Sequence, residues 1–181
     1  MKSILSIKNL SLMALMSALL CLLAPVSIPI GPVPITLSIF IIYIISYLLD
    51  ANSAVISVFI YLLMGIVGLP VFAGYKSGLG IILGPSGGYL ISYLIVVYIS
   101  SYCNHKYYNN KTFQILAMFI ALILCYICGT VWFSIFKKMT FVESLFICVF
   151  PFIITDVIKI VAAFIFGTEI RRRLKSSADN N

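Results

Sequence analysis

The sequence predicts an all-α integral membrane protein, a bundle of six transmembrane helices with both termini in the cytoplasm. Three observations lead to this fold class: the composition, the apolar runs, and the distribution of Lys and Arg. Of the 181 residues, 62% are hydrophobic and 9% are charged, whereas a soluble domain is about 45–50% apolar and about 25% charged. The composition therefore excludes a soluble enzyme, and it excludes a disordered chain, which needs low hydrophobicity.

Six apolar runs are long enough to predict membrane spans. The hydrocarbon core is about 30 Å thick, so a spanning helix needs roughly 20 apolar residues. The runs cover residues 10–24, 35–49, 51–69, 87–103, 113–136 and 144–166. The first two are short, so we expect neighbouring residues to extend them or the helices to tilt. With no soluble segment or linker between runs, residues 1–181 are expected to form a single transmembrane domain.

The breaks between the runs carry residues that favour turns. Pro and Gly disfavour helix continuation, and polar residues favour exposed loops. The five breaks, in order, are the proline-rich loop with Pro25, Pro29, Gly31, Pro32 and Pro34, the turn at Asp50 and Asn52, the glycine-rich loop 70–85, the polar loop 104–111, and Lys137 with Lys138.

The basic residues predict the orientation of the bundle. An even number of spans places both termini on one side, and cytoplasmic loops carry the excess of Lys and Arg. The terminus side holds eight of them and the opposite side three, the eight being Lys2, Lys8, Lys106, Lys111, Arg171, Arg172, Arg173 and Lys175. We therefore place both termini in the cytoplasm and attribute the net charge of +7 to orientation, not to nucleic-acid binding.

No catalytic or metal site is expected. Cys125-x-x-Cys128 has the spacing of a redox or metal pair, but it lies within an apolar run, and His105 is the single histidine. We interpret the five cysteines as small packing residues. Since no dyad or ligand cluster forms, a membrane enzyme is disfavoured.

Two charges remain inside the apolar runs, Asp156 and Lys159, near the middle of the sixth. An ionisable side chain at mid-bilayer costs at least about 2.5–3.5 kcal/mol, so such residues are functional candidates. Their i, i+3 spacing places both on one helix face, where they offer an acceptor for N–H donors and a cation for a carboxylate. We interpret them as a ligand site; a proton relay and an ion pair that only joins helices are the alternatives. Pro151 predicts a bend just before them.

Small residues mark two further segments. The glycine-rich stretch 68–89 lacks the phosphate-loop pattern, so the chain itself is not expected to hydrolyse a nucleotide. Gly84-x-x-x-Gly88 predicts close helix packing. On the first helix, Ala14-x-x-x-Ala18 forms a face that suits either a contact within the bundle or docking of a partner helix.

Four blocks along the chain resemble a known family. They are Val-Pro-Ile-Thr at 33–36, Gly-Leu-Pro-Val-Phe-Ala-Gly at 68–74, Gly-Pro-Ser-Gly-Gly-Tyr at 84–89, and Pro151 followed by Asp156-x-x-Lys159. Together, in this order, they resemble BioY, the biotin-specific substrate-binding (S) component of energy-coupling factor (ECF) transporters.

The resemblance implies a ligand and its contacts. The site would open to the outside beneath the loop 26–34. Asp156 and Lys159 would contact biotin through its ureido ring, with the carboxylate as an alternative for Lys159. The loop from Gly74 to Gly80, and Tyr89, would line the pocket.

The resemblance also implies partners. Ala14 and Ala18 would meet a transmembrane coupling component that joins two cytoplasmic ATPase subunits. The protein would lie in the bacterial plasma membrane as a multi-pass protein, contact the lipid bilayer, and need no cofactor. Lys76, where family members often have a smaller residue, would be a second cation for the biotin carboxylate or a solvated loop residue.

Two other functions are alternatives. An S component for another vitamin would share the bundle but not the combination of the 68–74 block with Asp156 and Lys159. A small proton-coupled secondary transporter would use the same charge pair as a relay. Many such transporters contain internal repeats, and none is evident in this sequence.

Overall fold

The computed structural model describes residues 6–29 and 32–179, which form eight helices and one two-stranded hairpin. The elements are α1 (Ile7–Leu23), β1 (Ser27–Ile28), β2 (Ile35–Thr36), α2 (Ser38–Leu48), α3 (Ala51–Val67), α4 (Leu79–Ile82), α5 (Gly87–Lys106), α6 (Lys111–Lys137), α7 (Phe141–Cys148) and α8 (Ile153–Asp179). Lys2, Gly31 and the Lys175 side chain, used above, lie outside the described part.

The helices follow the apolar runs, with three differences. The second run begins with β2, so α2 starts later than expected. The glycine-rich loop 70–85 contains the short helix α4, which the sequence did not predict. The sixth run is divided between α7 and α8.

Helix α2 lies at the centre of the bundle. Nine of its 11 residues are buried, as expected for a helix that is apolar on all sides. It packs against α5 and α8. The antiparallel pairing of β1 with β2 holds the chain just before α2, with Ser27 opposite Thr36. This pairing fixes the position of the chain where it enters α2.

Helices α1 and α3 are joined by hydrogen bonds between small polar residues. The Ser17 hydroxyl donates to the Ser57 carbonyl at 3.0 Å, and the Ser57 hydroxyl donates to the Met13 carbonyl at 3.3 Å. Such bonds hold apolar helices together where lipid removes the hydrophobic driving force between them. Because α1 buries Met13, Met16, Ser17 and Leu20, its other faces remain open.

Helices α5 and α6 pack closely through glycines. A Cβ at Gly88 would overlap the Trp132 side chain, and a Cβ at Gly129 would overlap the Tyr89 ring. The Trp132 indole N–H donates to the Gly84 carbonyl at 2.9 Å. This agrees with the packing interpretation of the Gly84-x-x-x-Gly88 spacing.

The sixth run bends at Pro151, as the sequence predicts. Helices α7 and α8 meet at 56° across a break of four residues or fewer. Thr140 and Glu143 form a capping box at the start of α7. After the bend, Ile153 and Ile154 at the start of α8 are exposed, whereas Asp156 is buried.

Among the described residues, α6 meets the length and hydropathy criteria for a membrane span by itself, and α7 with α8 meets them as one bent pair. Three further helices are apolar but have 17 residues or fewer: α1, α2 and α3. Six spans and cytoplasmic termini therefore remain predictions.

Candidate ligand-binding site

The predicted pair of charges forms an ion pair at the start of α8. Lys159 Nζ lies 2.7 Å from Asp156 Oδ1, and the two side chains are 12% and 7% exposed. Asp156 lies in the first turn of α8, where the helix dipole favours a negative charge. The charges neutralise each other, which reduces the cost of burying them.

Tyr126 holds the same carboxylate from across the bundle. Its hydroxyl, on α6, donates to Asp156 Oδ2 at 2.6 Å. Each carboxylate oxygen thus accepts one hydrogen bond, and a carboxylate offers about four acceptor positions. Asp156 therefore retains capacity to accept N–H donors from a ligand.

Sequence reasoning missed Tyr126. It lies 30 residues before Asp156 in a run of apolar residues, and nothing in the spacing connects the two. The available signal was the residue type, because a buried Tyr hydroxyl usually finds a polar partner.

The ion pair lines an inner cleft with about 430 Å³ of empty space, part of which is open to solvent. Its walls are mainly apolar and aromatic, and they include Ile39, Tyr93, Leu122, Tyr126 and Phe152. Ligand sites commonly have this character, an apolar enclosure with few polar groups.

A second cleft, called the outer cleft because it lies farther from the ion pair, adjoins the inner one and has about 760 Å³ of empty space, part of it open to solvent. The two share five lining residues, namely Val33, Pro34, Thr36, Tyr89 and Tyr93. The clefts are therefore adjacent, and Val33 and Pro34 at the end of the proline-rich loop line both. That the loop 26–34 covers the site stays a prediction.

Tyr89 stands where the two clefts meet. Its hydroxyl lies 3.4 Å from Thr130 Oγ1 and donates to the Cys148 carbonyl at 3.4 Å. The ring is 8% exposed and packs on Gly129. The structure thus brings Tyr89, Asp156 and Lys159 to one cavity.

Lys76 and Gly74 lie on the glycine-rich loop 70–85 but differ in their relation to the clefts. Lys76 lines the outer cleft, on a segment held by the paired backbones of Phe72 and Lys76. Gly74 lines neither cleft. It adopts a φ of +70° and donates its N–H to the Pro25 carbonyl at 3.0 Å, which joins the glycine-rich loop to the start of the proline-rich loop.

Ala14 and Ala18 are exposed on α1, outside the buried face of that helix. Helix α1 contributes no residue to either cleft. Within the described chain, the small-residue face is therefore not used for a contact inside the bundle.

The two cysteines of the Cys-x-x-Cys spacing lie in different environments. Cys125 is buried and contacts the Ser92 hydroxyl at 3.0 Å, whereas Cys128 is exposed. The described residues contain no group of three His, Cys, Asp or Glu side chains that could hold a metal.

Comparison with known proteins assigns the chain to a family. The model of the BioY family matches residues 1–176. The chain belongs to the BioY family. This agrees with the resemblance found in the sequence, and the family is one of transporter components, not enzymes.

Individual relatives within the BioY family match most of the chain. The biotin transporter BioY2 of Lactococcus lactis is 31% identical over 92% of this chain and 91% of its own length. A probable biotin transporter BioY of Pyrococcus horikoshii is 34% identical over 91% and 96%. The crystal structure of the S-component for biotin from an ECF-type ABC transporter superposes with a TM-score of 0.87, at 29% identity and 95% coverage of both chains.

Proposed function

We propose that this BioY family member is the high-affinity biotin-binding S component of an ATP-driven ECF vitamin uptake transporter. One observation on this chain's own residues supports the proposal. The Asp156 carboxylate, hydrogen-bonded by Tyr126 and Lys159, lines a cleft with aromatic and apolar walls. The names of its relatives and its similarity to the S-component for biotin support the same ligand.

The chemistry of biotin matches the two clefts. Its ureido ring has two N–H donors and a carbonyl acceptor on an otherwise apolar bicycle. In this proposal, Asp156 accepts from a ureido N–H and Lys159 donates to the ureido carbonyl. The ring lies against Tyr93 and Phe152 in the inner cleft.

The side chain of biotin is assigned to the outer cleft. It is a flexible alkyl chain that ends in a carboxylate. The apolar surfaces of Phe72 and Ile81 suit the alkyl part, and Lys76 supplies a cation for the carboxylate. Lys76 forms no ion pair among the described residues, so it is available to an anionic group.

The proposed topology is one transmembrane domain of six spans, with α7 and α8 counted as one bent span. The basic residues at the end of α5, at the start of α6 and near the end of α8 support cytoplasmic termini. The two clefts then lie toward the outside of the bacterial plasma membrane, where biotin enters.

The proposed partners follow from the open face of α1. Ala14 and Ala18 would receive a helix of the transmembrane coupling component, since small residues allow close approach of helix backbones. That component would join two cytoplasmic ATPase subunits, which supply the energy. The S component itself catalyses no reaction.

The test is equilibrium binding of biotin to the purified protein in detergent, without ATPase subunits. The wild type is compared with an Asp156→Asn, Lys159→Gln double variant, which removes both charges together and leaves no unpaired buried ion. Tight binding by the wild type and its loss in the folded double variant are expected. Absence of binding by a folded wild type would overturn biotin as the ligand; thiamine, riboflavin and lipoate would then be screened.

A further inference from the structure

A third cleft lies at the opposite end of the bundle from the proposed biotin site. It has about 890 Å³ of empty space, part of which is open to solvent, and its walls come from the end of α2, the loop before α6, the start of α6 and residues 168–172 of α8. It shares no lining residue with the two clefts described above. The biotin proposal therefore does not account for it.

The charges around this cleft favour an anion. Lys111, Arg171 and Arg172 line it together with one acid, Glu169. Glu169 already pairs with Arg172 and Arg173. The start of α6 at Lys111 adds the positive end of a 27-residue helix dipole.

Arg171 is the cation best placed to hold a ligand. Its guanidinium is half-buried, donates to the Asn104 carbonyl at 2.9 Å, and lies 4.7 Å from the centre of the Tyr108 ring. No ion pair to Arg171 or Lys111 occurs in the described part of the chain. A guanidinium has five N–H donors in a fork that fits a phosphate, so donors remain available.

The floor of the cleft holds a second, independent feature. Gln114 is 3% exposed, and its amide nitrogen donates to the carbonyls of Tyr107 and Tyr108. Its Oε1 accepts no hydrogen bond within the described residues. A buried acceptor without a partner is costly. Gln114 lines the cleft, and a small rotation of its amide toward the cleft would let a headgroup hydroxyl satisfy this oxygen.

The surroundings indicate a lipid as the source of the anion. Tyr102, Tyr107 and Tyr108 gather at this end of the bundle, and Tyr is enriched at membrane–water interfaces. Beyond the cleft, the exposed apolar side chains of Ile165 and Val161 continue along α8, on the same helix face as the cleft residue Glu169 because of their i, i−4 spacing from it. A headgroup in the cleft would leave its acyl chains along this apolar face.

We propose that this cleft binds the headgroup of an anionic phospholipid, with the phosphodiester against Lys111 and Arg171 and a headgroup hydroxyl toward Gln114. Phosphatidylglycerol has this chemistry. The orientation proposed above places the site in the inner leaflet, but occupancy of the cleft does not depend on biotin.

The experiment measures lipid adducts by native mass spectrometry of the delipidated protein in neutral detergent. The probes are short-chain dioctanoyl phosphatidylglycerol and dioctanoyl phosphatidylcholine. The wild type is expected to bind one phosphatidylglycerol roughly tenfold more tightly than phosphatidylcholine, because basic residues at the interface attract anionic lipid. Equal affinity for the two lipids would overturn the proposal.

Matched variants locate the site. A Lys111→Gln, Arg171→Gln variant is expected to lose the preference for phosphatidylglycerol, and a Lys137→Gln, Lys138→Gln variant, which removes the same charge at the other end of the bundle, is expected to keep it. Equal loss in both would show a general charge effect and overturn the site. Because Arg171 bonds to the main chain, the exposed single variant Lys111→Gln provides a second test, with a several-fold loss expected.

A soluble phosphate separates the two sources of the anion. Glycerol 3-phosphate is added at the concentration of the lipid, and it is expected to displace little of the bound phosphatidylglycerol. Full displacement would show that the cleft binds a free phosphate and would overturn the proposal of a lipid ligand.

Biotin binding, measured on the same samples, is expected to be unchanged in every variant. A wild type that binds lipid but not biotin would contradict the proposed function alone.

Discussion

Tyr126 and Asp156 lie on different helices and are joined by a hydrogen bond of 2.6 Å from the Tyr126 hydroxyl to Asp156 Oδ2. The Lys159 ammonium donates a hydrogen bond to the other carboxylate oxygen, Oδ1, at 2.7 Å. The carboxylate is therefore held from two directions, by its own helix and from across the bundle. Tyr126 acts in the proposed site as a positioning residue for Asp156.

Tyr126→Phe is expected to weaken biotin binding. A hydrogen bond to a charged group contributes about 1.5–3 kcal/mol, so the dissociation constant should rise roughly 10- to 100-fold. Titration calorimetry in detergent measures the change. Tyr98→Phe is the control, because Tyr98 is 48% exposed and lines neither cleft. An unchanged affinity in a folded Tyr126→Phe protein would contradict the positioning role.

Gly129→Ala is expected to destabilise the protein and to weaken biotin binding together. Helix propensity alone favours Ala over Gly by about 1 kcal/mol. Here the new Cβ would overlap the Tyr89 ring, and overpacking typically costs about 1–3 kcal/mol. Because Tyr89 lines both clefts, its displacement should also alter the ligand site. Thermal unfolding and biotin titration measure the two effects.

Gly80→Ala is the stability control for this substitution. A Cβ at Gly80 meets no atom within 4 Å, so the unfolding temperature is expected to stay the same or to rise. If both substitutions lowered it equally, the contact between Gly129 and Tyr89 would not explain the loss.

The charge pair and the bend were predictable because their signals are local. Asp156 and Lys159 are three residues apart, and helix geometry alone brings them together. Pro151 cannot donate the hydrogen bond that a continuous helix needs. In each case the sequence distance is less than two helical turns, so no knowledge of the tertiary arrangement is required.

The remaining parts of the site depend on contacts between distant residues. Tyr126 reaches Asp156 only because α6 and α8 share the bundle interior, and periodicity within α6 does not reveal this partner. The glycine-rich segment predicts turns, but whether Gly74 faces the ligand or another loop depends on where Pro25 lies. Helix α4 has four residues, too few for a periodic pattern.

Lys76→Gln is expected to weaken the binding of biotin but not of biotin amide. In the proposed arrangement Lys76 faces the biotin carboxylate, and the amide carries no charge for it to attract. Exposed ion pairs contribute about 0.2–1 kcal/mol, so only a loss of about fivefold or less is expected. Competition titrations with the two ligands measure the difference. If the variant weakened both ligands equally, Lys76 would not be the carboxylate partner.

Asp50 is expected to make stability dependent on pH in the acid range. It is the N-cap of α3 and accepts hydrogen bonds from the Ser53 hydroxyl and N–H. Partial burial acts to raise the pKa of Asp50, but these hydrogen bonds outweigh it and hold the pKa below its ordinary value of 3.8. The stabilisation is therefore complete above the ordinary pKa and is lost as the pH falls through the lower pKa of the folded state.

Asp50→Asn removes the charge at position 50 but keeps a side chain that can cap α3. Asn is as good an N-cap as Asp, so the variant should unfold at nearly the wild-type temperature at neutral pH. Between about pH 5 and pH 3 its unfolding temperature should fall less steeply than that of the wild type. Parallel pH profiles for the two proteins would rule out a contribution from Asp50.

The exposed face of α1 leads to a prediction that separates binding from transport. Met13, Met16, Ser17 and Leu20 face the bundle, whereas Ala14 and Ala18 do not. A bulky side chain at position 14 therefore meets nothing within the described chain, and biotin binding by the isolated protein should be unaffected. In the assembled transporter the same side chain would hold the proposed partner helix away from α1.

Ala14→Trp is accordingly expected to abolish biotin uptake in cells that contain the coupling component and the ATPases, while the purified variant binds biotin as the wild type does. The control is Ile120→Trp, which places the same side chain on an exposed position of α6. Small residues permit close approach of helix backbones, and an indole at their place prevents it. Uptake that persists in Ala14→Trp, or that is lost equally in Ile120→Trp, would show that the partner does not dock on this face of α1.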